Sequence, residues 1–181
     1  MNDKCIINLH NHKTAQDAAT KNYVDTRYIK NNTGFIPELC SNEKNKSGFI
    51  VSANSELNTE KRAYNVFNSR RGRTDWCVSE SNRDFWIQLQ CPEKVKIHKF
   101  ALRGNNANDK IFRWKLQASN DNNVWDNLYV EDRDKFFDET LSFFNVSPSI
   151  GYIYYRVYVT RFGGNNPGLG YWQLYTYDPI E

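Results

Sequence analysis

Two short stretches hold the residue types that recognise a polar, multiply hydroxylated ligand. They are Arg103-Gly-Asn-Asn-Ala-Asn-Asp109, and residues 161–170 running into Tyr171-Trp172. Planar amides and guanidinium groups match vicinal hydroxyls, and an aromatic face suits the C–H side of a sugar ring. Arg103, Asn105, Asn106, Arg161, Asn165, Asn166, Tyr171 and Trp172 are therefore the candidate ligand residues. Each also has a plain structural reading, because Asn and Gly are ordinary turn formers and the alternation around Trp172 would turn its ring inward.

Patterns for catalysis are missing from the sequence. There is no Gly-rich phosphate loop, no Gly-x-Ser-x-Gly elbow, and no histidine or cysteine in a nucleophile pattern. Glu131, Asp132 and Asp134 alternate with Arg133 and Lys135. That reads as a solvated loop rather than the facing carboxylate pair of a glycosidase. The expectation is a protein that is not an enzyme and carries no cofactor.

His10-Asn11-His12 sets two imidazoles on one side of an extended chain. Around a threefold axis six such groups could ring a metal, but without that axis they are solvated residues of a frayed terminus, the reading taken here. No metal site is therefore expected, and His98, alone in a strand, reads as structural. Cys5, Cys40, Cys77 and Cys91 lack CxxC spacing and read as free or buried thiols.

The elements that must position the two stretches follow from periodicity. Residues 14–30 place Ala15, Ala18, Ala19, Tyr23, Val24, Tyr28 and Ile29 on one stripe, with Thr14 and Asp17 as a capping box and Asn31, Asn32 and Gly34 as stop signals. This predicts a helix that packs on the main domain or on copies of itself. From Gly48 onward the period changes to two. Phe85, Ile87 and Leu89 share one face of residues 84–90, and Phe112, Trp114, Leu116 and Ala118 share one face of residues 112–119. Residues 94–103 change phase, which predicts a bulge or break near His98. Asn120-Asp121-Asn122-Asn123 reads as a hairpin turn into Val124-Trp125, and residues 152–159 and 171–177 complete the strands.

Composition narrows the classes. The chain has 181 residues, enough for one main domain, and 15% of them are aromatic, far too many for a disordered chain. The net charge of +3 comes from scattered basic residues, so a nucleic-acid footprint is not expected. No stretch approaches a membrane span or the apolar core of a signal peptide. Phe162, Leu169 and Arg161 make only a thin version of an apolar loop tip beside a basic residue, so a lipid partner is not favoured.

The ordered pieces resemble the discoidin, or coagulation-factor C-type, domain, a galactose-binding-like jelly roll. The resemblance covers roughly residues 48–178. It rests on Ala63-Tyr-Asn-Val-Phe-Asn68 with Thr74-Asp-Trp76, then Phe85-Trp-Ile-Gln-Leu89 and Phe100-Ala-Leu-Arg-Gly104. Trp114-Lys-Leu-Gln-Ala-Ser-Asn-Asp121 with Trp125, and Tyr154-Tyr-Arg-Val157, complete the set. The resemblance implies an all-β jelly-roll sandwich over residues 48–181, preceded by a helix-containing anchor or oligomerisation segment, residues 1–47. It also places both candidate loops near the family's ligand-binding end and makes Trp76, Trp86, Trp114 and Trp125 core or hairpin residues.

Related carbohydrate-binding modules hold a structural calcium with an Asp and a Glu at places that read here as Asn68 and Gln173. The resemblance therefore implies loss of that site, since a hard dication prefers charged carboxylates. The chain also ends at Asp178-Pro-Ile-Glu181 without the terminal cysteine of the animal domains. A second resemblance, over residues 14–25, is to a "DAATK.YVD" segment of bacteriophage tail-fibre proteins, which implies a trimeric virion anchor. The combined expectation is a glycan-binding receptor or adhesion protein on a virion or an extracellular surface, with other subunits as partners. The rival expectation is a structural or assembly protein that binds no sugar.

Overall fold

The computed structural model describes residues 28–30, 34–68, 75–79, 84–106, 108–132 and 139–179. The architecture is all-β, two antiparallel sheets facing one another, with a single 3-10 turn at Ala63–Phe67 as the only helical element among the described residues. The strands are β1 (Tyr28–Lys30), β2 (Ile50–Ala53), β3 (Trp76–Cys77), β4 (Phe85–Val95) and β5 (Ile97–Gly104). They continue with β6 (Lys110–Ser119), β7 (Asp126–Glu131), β8 (Ser142–Asn145), β9 (Tyr152–Gly163) and β10 (Gly168–Pro179).

One sheet runs β2-β4-β9-β6-β7; the other joins β10, β5 and β8, with β3 added to the start of β10. Alternation fills the space between them. Phe85, Ile87 and Leu89 on β4 and Trp114, Leu116 and Ala118 on β6 are all buried, as their shared faces predict. Phe100, Leu102, Trp172 and Leu174 meet them from the opposite sheet. At about 25 cal/mol per Å² of apolar surface removed from water, this aromatic-rich core is the main stabilising term.

The sandwich forms one unit, residues 32–176. Its core includes Ile36 and Leu39, 4% and 1% exposed, so part of the expected N-terminal segment belongs to the sandwich. The tie is Gln173, whose Oε1 accepts from Ile36 N at 2.8 Å and whose Nε2 donates to Ile36 O at 2.9 Å. Gly34 permits the approach, since a Cβ there would lie 2.5 Å from the Gln173 amide carbon. The second unit contains the short antiparallel ladder of β1 with residues 177–179. Tyr28–Lys30 is thus strand, where a helix was predicted; the remainder of that helix, His10, His12, Cys5 and the phage-like segment lie outside the described residues.

The break expected near His98 is present: β4 ends at Val95, β5 starts at Ile97, and the register against β10 shifts between Ile97 and Lys99, with His98 itself buried. Two local readings are corrected. On β6, register shifts on both sides of Arg113 turn Ile111 into the core and leave Phe112 half-buried. Glu131 closes β7, is 3% exposed and accepts a hydrogen bond from the Tyr129 hydroxyl at 3.2 Å; it is not part of a solvated loop.

The hairpin turn forms as read. Asp121 Oδ1 accepts from the backbone N–H of Asn123 and Val124, and Asn122 takes the left-handed conformation at φ 58° that Asn tolerates.

Candidate functional site

The two candidate loops are the turns that join β5 to β6 and β9 to β10, and they meet at one end of the sandwich. Asp109 fastens them. Its Oδ1 accepts from Asn165 N at 2.7 Å and Asn166 N at 3.0 Å, and its Oδ2 accepts from Asn106 Nδ2 at 2.6 Å. Burial would raise the Asp109 carboxyl, but the Asn106 amide and the two backbone N–H groups outweigh it and hold it below the ordinary carboxylate value. Gly164, at φ +91°, makes the bend that aims these N–H groups at the carboxylate.

Asn105 reinforces the junction, donating from Nδ2 to Asn166 O at 2.8 Å and to Cys77 Sγ at 3.3 Å. Asn106 Oδ1 accepts from Asn108 N and Asp109 N at 2.7 and 2.8 Å, an Asx turn within the loop. The β3 segment closes the same end. Val78 N donates to Pro167 O at 3.0 Å, Leu57 N donates to Cys77 O at 2.8 Å, and Lys61 pairs with Asp75. Burial and a hydrogen bond to Asp75 push the Cys77 thiol up to about 12, so it stays protonated. Gly168 is required where β10 crosses β3, because a Cβ there would overlap the Trp76 carbonyl oxygen.

The sequence candidates fall in different surroundings. Asn105 and Asn106 are partly buried and spend their amides on the frame, while Asn165 is exposed and Asn166 half-buried on the rim. Arg103 and Tyr171 stand opposite each other across β5 and β10, and Arg103 Nη2 donates to Gly170 O at 3.0 Å. Arg161 is exposed on β9, in the other sheet, with its guanidinium 5.6 Å from the Phe112 ring centroid. Trp172 is a correction: it is fully buried, its ring 5.4 Å from that of Phe67, so it packs the core and does not reach the surface.

Asp109 was not among the sequence candidates, although its place three residues after Asn106 is a turn signal. The junction so formed is a polar frame in which the two turns are tied together by hydrogen bonds through Asp109, Asn105 and Asn106.

No group of three or more His, Cys, Asp or Glu side chains among the described residues is arranged to hold a metal ion. The two calcium-equivalent positions do not fit such an ion. Gln173 Oε1 already accepts from Ile36 N and Leu174 N, its amide nitrogen donates elsewhere, and Asn68 is neutral and buried. Cys40, Cys77 and Cys91 are free thiols.

Against this geometry, residues 50–174 match the family model described as F5/8 type C domain. Solved structures share the fold at low identity. Chitosan-binding module 1 of a Paenibacillus chitosanase/glucanase is 19% identical over 69% of this chain and 92% of its own, with TM-score 0.59. A Clostridium perfringens family 32 carbohydrate-binding module solved with galactose is 13% identical over 70% and 93%, with TM-score 0.57. Another module from C. perfringens, solved with GalNAc-β-1,3-galactose, is 16% identical over 70% and 94%, with TM-score 0.58. No curated protein matches the chain.

Proposed function

The chain belongs to the F5/8 type C domain family, and from that premise we propose that it is a non-enzymatic recognition domain that binds carbohydrate at the loop end of its sandwich. The observation that carries this reading is the Asp109 clamp. It holds the backbone of Asn165 and Asn166 against the 105–109 turn, so the exposed rim is ordered before any ligand arrives. Preorganisation of this kind reduces the entropy cost of binding. The sugars in the structures of the similar bacterial modules support carbohydrate as the ligand class.

In its finer form the protein is a receptor-binding or adhesion component of a virion, displayed as a trimer whose joined sites raise avidity. That form draws its support from the phage-like segment at residues 14–25, and light scattering of the whole chain tests it. An assembly role is the second reading. It is favoured by Phe143 on β8, 54% exposed, whose ring meets Tyr175 at 6.0 Å and lies 5.4 Å from the Lys99 ammonium.

The test is a broad glycan array probed with the whole chain, with and without a calcium chelator, beside Arg161→Ala and Asn165→Ala. Chelator-insensitive binding that both variants weaken without a change in melting supports the reading. Undiminished binding by both variants moves the site away from this rim. A blank array from folded protein favours the assembly role.

A further inference from the structure

The outer face of the β2-β4-β9-β6-β7 sheet carries side chains that the loop-end reading does not use. Its centre is Arg156 on β9. The guanidinium carbon lies 3.9 Å from the centroid of the Trp125 ring and 5.1 Å from that of Tyr158. Nε donates to Gln117 Oε1 at 2.8 Å, and Gln117 Nε2 donates in turn to Asn127 Oδ1 at 2.8 Å. The head group is thus fixed by an aromatic face on one side and an amide relay on the other.

This arrangement leaves the guanidinium edge available. Among the described residues Nη1 and Nη2 donate to no side chain, and Arg156 takes part in no ion pair. Asp84, which borders this face, instead accepts a hydrogen bond from the Tyr158 hydroxyl at 3.1 Å. A half-buried cation without a carboxylate partner is a costly arrangement that an incoming anion relieves. The fork of a single guanidinium matches a planar carboxylate in a bidentate pair.

The neighbours define what carries the carboxylate. Strand register sets Gln88 and Gln117 on either side of Arg156, and Trp86 beside Tyr158 in the next row. Half-buried Trp86 and Tyr158 offer ring faces beside that edge. We propose that this sheet face is a second binding site, which takes an acidic saccharide by pairing the free edge of Arg156 with a sugar carboxylate and seating the ring against Trp86 and Tyr158. It lies on strands and not on the loop rim, so it stands or falls separately from the site proposed above.

The experiment is isothermal titration of the whole chain with α-1,4-trigalacturonate, beside neutral galactotriose and a sulfated galactose trimer. Loss of one bidentate charge-assisted pair corresponds to about tenfold or more in affinity. Arg156→Gln is expected to weaken trigalacturonate by at least about tenfold, and Arg156→Lys, which keeps the charge and loses the fork, by a similar factor. Galactotriose and the sulfated trimer are expected to bind at least about tenfold more weakly than trigalacturonate.

Melting curves identify a variant that fails to fold, and the milder Arg156→Lys then carries the test. No heat with trigalacturonate up to about 10 mM, beyond which binding is too weak to matter, overturns the proposal. So does equal binding of the neutral trimer, preference for the sulfated trimer, or wild-type affinity in both Arg156 variants.

Discussion

Asp109→Ala is the perturbation that separates a rigid rim from a merely polar one. The substitution removes one acceptor of three hydrogen bonds, two of them from the backbone of the partner loop. Hydrogen bonds to a charged group contribute about 1.5–3 kcal/mol each in net terms. They share one carboxylate that is partly exposed, and their losses are not additive, so about 2 kcal/mol in all is the reasonable sum.

For a chain of this length that lowers the melting temperature by roughly 4–8 °C. Because the folded carboxyl is held below its ordinary value of 3.8, the stabilisation is fully present above that value and is lost as pH falls through the lower folded value. The gap between wild type and variant is therefore constant near neutrality and narrows below about pH 4. Asp121 is depressed likewise, but it is present in both proteins and cancels in the difference. Scanning calorimetry at pH 7 and at pH 3 measures both effects. A variant that melts within 1 °C of wild type at pH 7, or a gap that widens in acid, refutes the clamp.

Gln173→Ala leaves Ile36 N, Ile36 O and Leu174 N without their side-chain partner in a buried setting, and calorimetry is expected to show a loss of roughly 2–4 kcal/mol. Gln173→Glu is expected to destabilise too, because a carboxylate cannot donate to Ile36 O. Burial pushes the Cys77 and Cys91 thiols up to about 12, so iodoacetamide at pH 8 followed by peptide mapping is expected to label exposed Cys40 and to spare both until the protein is unfolded. Gly168→Ala is expected to be among the most damaging single substitutions, judged by soluble yield and melting, since its methyl group meets the Trp76 carbonyl at the β3–β10 crossing.

The alternating faces of β4 and β6 and the Asn-rich hairpin turn were legible because period and turn chemistry are local. The register shifts around Arg113 were not, since a bulge exchanges Ile111 for Phe112 without any change in composition. β3, with two residues, and β8, with four, are too short to carry a pattern. At the site, the loop compositions singled out two turns that the structure ties together at one end of the sandwich. They could not say that Asn105 and Asn106 turn inward to the frame, because that outcome depends on which strands lie opposite, whereas the burial of Trp172 is the reading its strand alternation already offered. Arg156 was invisible for the same reason. In sequence it is one polar residue in an alternating strand, and only the register brings Trp125, Gln117 and Tyr158 around it.

The most direct test of the central claim is a backbone-amide NMR titration of the whole chain with galactose and with chitotriose. Carbohydrate recognition at the loop end predicts saturable shifts for at least one of the two sugars, concentrated in residues 104–109 and 161–167, with the core strands unmoved. Shifts confined to other parts of the chain, or none with either sugar at concentrations up to about 50 mM, far above the range of weak single-site binding, would contradict it.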